Sequence, residues 1–292
     1  ADHVSIQLND THPAIGVPEL MRLLVDVHAM PWELAWEITT TVFNYTNHTL
    51  LPEALETWPV SLLERLLPRH MQIIYLINGL HLDAQRTAGH DDRFLSSISL
   101  IEENHSRRVR MGHLAFLGSR RVNGVSALHT DLMRRTVFRD LDAILPGRIV
   151  NKTNGITFRR WLFQANPGLT ELLVDAVGPQ VMDDAGRLEA LAPFADDPAF
   201  RERYWEARRT NKVALARLVA ERLGIGIDPD AMFDVHIKRI HEYKRQLLNL
   251  LHVVTRYHRL RENPDAYAVP RTVIFSGKAA PGYVMAKSVI KL

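Results

Sequence analysis

Short runs with the alternating pattern of a β-strand are repeatedly followed along this chain by longer runs with the periodicity of an amphipathic helix. A strand pattern at residues 4–8 precedes a helix pattern at 18–29, and the same order recurs at 233–237 and 240–262. This succession favours parallel sheets joined by crossover helices, because the helices cover the faces of such a sheet. We therefore predict the α/β fold class.

The other patterns divide the chain. Helices are predicted at 31–43, from Pro52, at 59–82, 125–135, 159–164 and 197–223, strands at 109–117 and 271–276, and a polar connection at 44–49. Gly147, Asn151, Asn154 and Gly155 lie in residues 146–157, which predicts a linker. We expect two domains, at residues 1–150 and 151–292. A doubly wound domain needs several strand–helix units. Because the pattern stops soon after one strand and helix, the second domain is expected to be incomplete.

Composition and spacing exclude several classes of site. The 292-residue chain has no cysteine, which excludes disulfides and thiolate chemistry. It has no long apolar run and no basic-then-apolar start, so we expect a cytoplasmic protein without a membrane span. His12 and His48 lack zinc-site spacing, so no metal is predicted. Trp32, Trp36 and Trp58 are interpreted as core residues rather than platforms for ring stacking.

Basic side chains are concentrated where a strand pattern gives way to a helix pattern. Lys238, Arg239, His241, Lys244 and Arg245 all lie in the sequence DVHIKRIHEYKR. Cations in the first turn of a helix oppose its macrodipole, at a cost of roughly 0.3–1 kcal/mol each. A phosphate at the helix N-terminus would explain them, since lysine supplies a point charge and arginine a planar fork.

Three interpretations of this basic segment remain open. Tyr243 follows Arg239 by four positions, so a helix would place both on one face, where the tyrosine hydroxyl adds a donor to a phosphate site. The segment is also compatible with a solvated basic face partly neutralised by Glu242. Nucleic-acid binding is the third interpretation, but a net charge of +3 does not indicate it, and interleaved aromatic side chains are lacking.

Polar residues form three further clusters, each after a strand pattern or at a junction between elements. These clusters are NDTH at residues 9–12, TNHT at 46–49 and TNG at 153–155. Carbohydrate sites need many short donors and acceptors, and ligands of open α/β sheets bind at the carboxyl ends of the strands. Each cluster alone is also typical of turns and helix caps.

Longer stretches of the sequence resemble the glycogen/maltodextrin (α-glucan) phosphorylase family. They are IQLNDTHPAIGVPELMRLLVD, NYTNHTLLPEALETWPVSLLERLLPRHMQIIY, RVNGVSALH, NKTNGITFRRW, VHIKRIHEYKRQLLNLLHV and GKAAPGYVMAK. The resemblance covers nearly the whole chain and weakens around residues 82–93 and 178–192. It implies reversible phosphorolysis of α-1,4-glucan to glucose 1-phosphate, with pyridoxal phosphate as cofactor. It also implies two facing Rossmann-like domains of the GT-B type, both incomplete in this chain, in an enzyme that is a homodimer at full length.

The resemblance also implies roles for individual residues. His48 and Asn154 would hydrogen-bond the glucosyl unit, near the backbone of Val125. Asp10 and His12 would lie on the glucan side of the cleft. The other roles concern phosphate and cofactor: Lys238 would meet the cofactor phosphate, Arg239 and Lys244 would grip the substrate phosphate beside Tyr243, and Trp161 would pack near the cofactor.

The chain also departs from the family pattern. Phe158 stands where members usually have proline, and Arg120 where histidine is common. Family chains are more than twice as long, and the segment with the lysine that holds the cofactor, EASGTGNMK in the family, has no counterpart here. We therefore expect an internal part of a phosphorylase, inactive alone. The alternatives are a non-catalytic glucan-binding or regulatory module and a nucleic-acid binder.

Overall fold

The computed structural model describes residues 3–51, 55–103, 106–265 and 269–292. The chain divides into two compact units, unit 1 (Ala1–Gly155) and unit 2 (Ile156–Leu292). Both contain parallel strands joined through helices, as the alternating patterns predict, so the α/β fold class is confirmed. Among the described residues, no helix combines the length and the apolar character needed to cross a bilayer.

Unit 1 is built on a four-stranded parallel sheet in the order β1-β2-β6-β7. A smaller antiparallel sheet has the order β3-β5-β4. The strands are β1 (Ile6–Asn9), β2 (Phe43–Thr46), β3 (Thr57–Pro59), β4 (Ile101–Glu102), β5 (Arg108–Arg110), β6 (Val122–Gly124) and β7 (Ile149–Asn151). The helices are α1 (Gly16–Arg22), α2 (Trp32–Val42), α3 (Val60–Leu66), α4 (Pro68–Thr87), α5 (Asp92–Ile98), α6 (Met111–Leu117), α7 (Ala127–Arg135) and α8 (Arg139–Ile144).

The core of unit 1 lies between the parallel sheet and these helices. Its largest fully buried side chains include Tyr45 of β2, Phe116 of α6 and Phe138. The Phe138 ring lies 6.2 Å from the Tyr45 ring and 5.2 Å from the Phe116 ring, centroid to centroid. Edge-on and tilted aromatic pairs of this kind are favourable beyond the area they bury. This cluster fixes the sheet against the helix that precedes β6.

Unit 2 has a two-stranded parallel sheet, β8 (Met232–Ile237) and β9 (Arg271–Ser276), paired along their full length. Its helices are α9 (Pro167–Val177), α10 (Pro198–Leu223), α11 (Gln246–Glu262) and α12 (Val284–Lys291). The carboxylate of Asp197 caps the N-terminus of α10, and Gly224 ends the helix in the left-handed conformation, at φ 68°. The predicted boundaries of this helix are confirmed, because both ends carry strong local signals.

Several element predictions for unit 1 are wrong. The first three residues of the polar connection at 44–49 belong to β2, and the predicted strand at 109–117 is mainly α6. The predicted linker contains β7. The helix expected at 18–29 begins two residues earlier, buries Val17, Pro18 and Met21, and continues as a π-helical turn. The predicted helix start at Pro52 lies outside the described residues.

The tryptophan predictions had different outcomes. Trp32 and Trp36 pack against the core of unit 1, as predicted. Trp58 is exposed instead, and its indole N–H donates to the Glu56 carboxylate at 2.8 Å. Because the Trp58 N–H has a polar partner at the surface, this indole avoids the cost of burying an unpaired N–H. This explains why Trp58 is exposed whereas Trp32 and Trp36 pack against the core.

In unit 2, α11 starts at Gln246 and not at residue 240. Residues 238–245 instead form a connecting segment with a short 3₁₀ turn at Glu242–Lys244. The helix pattern at 240–262 predicts a buried stripe of Ile240, Tyr243, Leu247, Leu248 and Leu251. Ile240 is buried as predicted, whereas the other four are exposed, Leu248 at 61%. The described residues of unit 2 contain two strands, so the helix has little sheet surface to pack on.

Candidate functional site

The polar clusters predicted from sequence follow the carboxyl ends of the parallel strands of unit 1. The four strands are adjacent and parallel, so these ends lie at one edge of the sheet, which we call the polar edge. The predicted sugar-binding residues are distributed along it: Asp10 and His12 follow β1, His48 follows β2, Val125 follows β6 and Asn154 follows β7. The fold thus places them on one side of one sheet.

Side-chain hydrogen bonds connect the polar edge across its strands. The Gln7 amide donates to the Thr46 hydroxyl at 2.8 Å, which in turn donates to the Asn123 side-chain oxygen at 2.8 Å. His48 Nε2 lies 2.8 Å from the side-chain oxygen of Asn9. The His48 ring is therefore held in one orientation, although the residue is exposed. An exposed but oriented imidazole can meet a ligand hydroxyl without first being ordered.

The backbone of Val125 is held at both of its polar groups. Its N–H donates to His129 Nδ1 at 3.1 Å, and its carbonyl accepts the Asn154 N–H at 2.9 Å. His129 lies in the first turn of α7, where the Ser126 hydroxyl caps its N–H. These bonds connect the loop after β6 to the loop after β7, so Val125 and Asn154 are positioned together.

His129 was missed as a candidate, although it ends the motif RVNGVSALH four positions after Val125. Because Nδ1 accepts a hydrogen bond, the neutral ring carries its proton on Nε2. That nitrogen is buried and has no partner among the described residues. Burial, and then the nearby His48, lower the pKa of His129, which keeps the ring neutral. The Nε2–H is therefore a buried donor without a partner among the described residues.

Asp10 and His12 differ in how firmly they are held. The Asp10 N–H donates to the Thr46 carbonyl at 3.0 Å, and its own carboxylate accepts the Thr11 N–H at 2.8 Å. Its φ of 63° is a conformation that aspartate tolerates better than most residues. The His12 side chain is 79% exposed and lies 3.9 Å from the Glu56 carboxylate. Glu56, also missed from sequence, anchors this loop by accepting from the Thr11 hydroxyl at 2.6 Å.

In unit 2, the predicted phosphate-binding residues lie in one loop between β8 and α11, which we call the basic loop (residues 238–245). The helix begins after it, so the prediction that these cations occupy the first turn of a helix is wrong. Strand-like pairing continues into the loop instead. The Lys238 N–H donates to the Ser276 carbonyl at 3.1 Å and the Ile240 N–H to the Lys278 carbonyl at 3.0 Å.

Tyr243 brings two cations of the basic loop together. The Arg239 guanidinium donates to the Tyr243 hydroxyl and lies 5.8 Å from the ring centroid, while Lys244 Nζ lies 5.1 Å from it. A tyrosine face attracts cations, which offsets part of their mutual repulsion. Within the described residues, no carboxylate forms an ion pair with Lys238, Arg239 or Lys244. The loop therefore presents uncompensated positive charge.

Glu242 does not neutralise these cations directly. Its carboxylate accepts a hydrogen bond from the Tyr283 hydroxyl, and this bond raises the pKa of Tyr283. The His241 ring lies between Tyr243 and Tyr283, at 4.0 and 4.9 Å from their centroids. Burial, and then Arg239, lower the pKa of His241. The only acidic side chain of the loop is thus directed towards a phenol.

Trp161 lies apart from the basic loop in sequence, in a π-helical turn at Arg159–Gln164. It is 71% exposed, which is unusual for an indole and leaves its faces available for contact. Phe158, which replaces the usual proline of the family pattern, packs edge-on against Phe163 at 5.0 Å in the small core of unit 2. The turn that carries Trp161 is thereby anchored to that core.

Comparison with known proteins identifies the family of the chain. A sequence model of the family described as carbohydrate phosphorylase matches residues 1–292. The chain is 52% identical over its whole length to the brain form of glycogen phosphorylase from Bos taurus, covering 35% of that protein. It is 51% identical to the liver form from Homo sapiens, covering 34% of it. The chain thus spans about a third of the length of these relatives.

Proposed function

The chain belongs to the carbohydrate phosphorylase family, and we propose that it forms part of an α-1,4-glucan phosphorylase. The observation that carries this proposal is the family match over residues 1–292, which includes both the polar edge and the basic loop. In this reaction inorganic phosphate displaces the terminal glucosyl unit from the glucan. The bond between C1 and the glycosidic oxygen breaks, a C1–phosphate bond forms, and the released glucan oxygen takes a proton.

The polar edge is proposed to hold the glucosyl unit. His48 and the Asn154 side chain would exchange hydrogen bonds with sugar hydroxyls near the Val125 backbone, and Asp10 and His12 would face the glucan. The support comes from the hydrogen bonds that hold Val125 and Asn154 together and orient His48. Fixed groups of this kind suit a sugar, because each hydroxyl must find its partners without distorting the site.

The basic loop is proposed to bind the substrate phosphate through Arg239 and Lys244, with Tyr243 between them. Support comes from the contacts that hold both cations on the Tyr243 ring and from the absence of carboxylate partners within the described residues. Fixed positive charge stabilises the negative charge that the phosphate carries as the glycosidic bond breaks.

Pyridoxal phosphate is the proposed cofactor, and Lys238 and Trp161 fit it. The Lys238 ammonium has no acidic partner among the described residues and suits a phosphate, and the exposed Trp161 ring offers a flat apolar face. When bound, the cofactor supplies a phosphate group that exchanges a proton with the substrate phosphate. The positive charge of Lys238 would stabilise the negative charge of the cofactor phosphate. None of this chain's lysines is proposed for the covalent link to the cofactor.

We propose further that units 1 and 2 belong to the two facing Rossmann-like domains of a GT-B enzyme, with residues 1–150 in the glucan-binding domain and 151–292 in the cofactor-binding domain. The parallel sheet in each unit supports this assignment. A cytoplasmic homodimer is proposed for the full-length enzyme, by analogy with the family.

The proposed function is tested by replacing the matching segment of bovine brain glycogen phosphorylase with this chain. The hybrid should release glucose 1-phosphate from maltoheptaose and phosphate, and Arg239→Met should abolish most of that activity. Arg245→Met is the matched control, since Arg245 lies in the same loop without contacting Tyr243. A folded hybrid with bound cofactor and no activity, or one indifferent to Arg239→Met, would refute the assignment.

The isolated chain is expected to show neither turnover nor bound cofactor in the same assay. Binding of maltoheptaose by the chain, combined with an inactive hybrid, would instead favour the alternative of a non-catalytic glucan-binding module. Strongly salt-dependent binding of DNA or RNA, unaffected by glucan, would favour nucleic-acid binding through the basic loop.

A further inference from the structure

Unit 1 contains a cavity that is separate from the polar edge. Its volume is about 280 Å³, and it lies between α2 and α4 with the ends of α6 and α8 beside it. The α2 residues that line it, Trp32, Trp36 and Thr40, are spaced by four and therefore share one helix face. The residues lining it from the other elements are Ile77, Leu80, His81, Leu117, Leu145 and Arg148. The wall is mostly apolar and includes two indole rings.

Two polar side chains in this wall lack the partners that such groups normally have. Arg148 donates through one terminal nitrogen to the carbonyls of Phe116 and Leu117, at 3.1 and 3.0 Å. No carboxylate within the described residues pairs with it, and the surroundings, mainly through burial and then through Arg121, lower its pKa. His81 Nε2 is buried and has no hydrogen-bond partner in the part of the chain that the structure describes.

The charge states of these two groups are distinct. Burial, and then Arg148, lower the pKa of His81 to about 4, so the imidazole is neutral near pH 7. Arg148 stays charged, because guanidinium is not deprotonated in proteins. Among the described residues, the wall therefore contains one cation without a counter-ion and one neutral imidazole that can donate an N–H. A half-buried guanidinium that lacks a counter-ion keeps only part of its hydration, which makes an anion its natural complement.

We propose that this cavity binds a small carboxylate with a flat apolar body, of the aryl-acetate type. The carboxylate would accept from the Arg148 guanidinium and from His81, and the ring would lie against Trp32 and Trp36. This site does not depend on the proposed phosphorylase function.

The lining distinguishes this ligand class from the substrates proposed above. A glucosyl unit needs acceptors and donors around its whole ring, whereas most of this wall offers none. An inorganic phosphate dianion would face one cation among indole and leucine side chains, with no compensation for the rest of its surface. A monocarboxylate needs one charged contact, and its apolar body replaces water along the rest of the wall.

The proposal is tested with indole-3-acetate, titrated against the 292-residue chain by ligand-observed NMR. The neutral isostere indole-3-acetamide serves as the matched probe. The acetate should bind at least about 10-fold more tightly than the amide, since a charged carboxylate gains more from an arginine partner. Equal affinities of the two probes, or binding of neither, would overturn the proposal.

Variants locate the binding within the cavity. Arg148→Met should remove the preference for the acetate and leave the amide bound as before. Arg121→Met is the matched control, because Arg121 lies close enough to influence Arg148 but does not line the cavity, and it should change neither affinity. An unchanged preference in Arg148→Met would overturn the proposal.

A second variant avoids the risk that Arg148→Met fails to fold. Leu80 lines the cavity from α4 and is 51% exposed, so Leu80→Glu is compatible with the helix surface. Its carboxylate would compete for Arg148 and should weaken binding of the acetate by roughly 2- to 5-fold relative to Leu80→Gln. Equal acetate affinities of these two variants would count against an arginine-held carboxylate.

Discussion

Gly277 is the residue whose substitution tests most directly how the basic loop is positioned. A Cβ added at Gly277 would lie 2.0 Å from the carbonyl oxygen of Lys238, a contact with backbone that side-chain rotation cannot relieve. Roughly 1 Å of separation would be needed, which would break the hydrogen bonds from Lys238 to Ser276 and from Ile240 to Lys278. Overpacking costs about 1–3 kcal/mol and each of the two lost bonds about 1 kcal/mol, so Gly277→Ala should destabilise unit 2 by roughly 3–5 kcal/mol.

The control lies in the same turn. A Cβ at Gly282 would meet nothing within 4 Å, so Gly282→Ala should leave the stability unchanged or slightly raised. Urea unfolding followed by circular dichroism measures the stability, and phosphate titration by ³¹P NMR measures the anion site. We expect Gly277→Ala to lower the unfolding midpoint and to weaken phosphate binding by about 10-fold or more. Equal midpoints and equal phosphate affinities for the two variants would refute the reasoning.

Three further predictions concern unit 1. His129→Phe removes the acceptor of the Val125 N–H, and leaving that N–H unsatisfied costs about 1–3 kcal/mol. The variant should therefore lower kcat/KM of the hybrid enzyme about 10- to 100-fold, and an unchanged kcat/KM would exclude a role for His129. Gly124→Ala places a Cβ 2.3 Å from the Thr130 hydroxyl and should lower the thermal midpoint, whereas Gly79→Ala, with open space around it, should not. Burial lowers the pKa of both His81 and His113 to about 4 in the folded chain, whereas a histidine in the unfolded chain has a pKa of about 6.5. As the pH falls below about 6.5, protons therefore bind to the unfolded chain before they bind to the folded one. The free energy of unfolding of unit 1 should decrease from that pH down to a pH of about 4. At pH 5 the free energy of unfolding should be lower than at pH 7 by about 2 kcal/mol per histidine. Urea unfolding at pH 7 and at pH 5 measures this difference. Equal stabilities at the two pH values would contradict the buried environments of His81 and His113.

Sequence predicted best those elements whose ends carry local chemical signals. The helix Pro198–Leu223 has Asp197 and Gly224 at its ends, and the strand Arg271–Ser276 has the pattern of a half-buried strand. Both were placed correctly from residues within a few positions. Capping and turn preferences act over that range, so a single sequence contains them.

Elements decided by contacts distant in sequence were predicted less well. The strand Phe43–Thr46 follows α2 without a turn and contains Asn44 and Thr46, so its pattern indicated a loop. It forms because β1 and β6 pair with it on both sides. The start of α11 was misplaced for a similar reason, since pairing with the segment after β9 keeps residues 238–240 extended.

The same distinction holds for the candidate site. The residue types at the polar edge and in the basic loop were recognisable from sequence, whereas their supports were not. His129 and Glu56 act through contacts with Val125 and Thr11, and neither contact is visible from composition or spacing. Tyr243 lies between Arg239 and Lys244 although no helix aligns the three residues, and the sequence does not show this arrangement.

The way Val125 is held has a consequence for selectivity among sugars. Because the Val125 N–H and the Val125 carbonyl are both hydrogen-bonded, neither of the two peptide groups that flank Val125 is free to rotate to suit a ligand of different shape. A preorganised backbone of this kind loses little conformational entropy on binding, but it cannot adapt to a misplaced hydroxyl. We therefore expect this edge to discriminate between epimers by excluding the wrong stereochemistry, because an epimeric hydroxyl would leave a polar group without its partner.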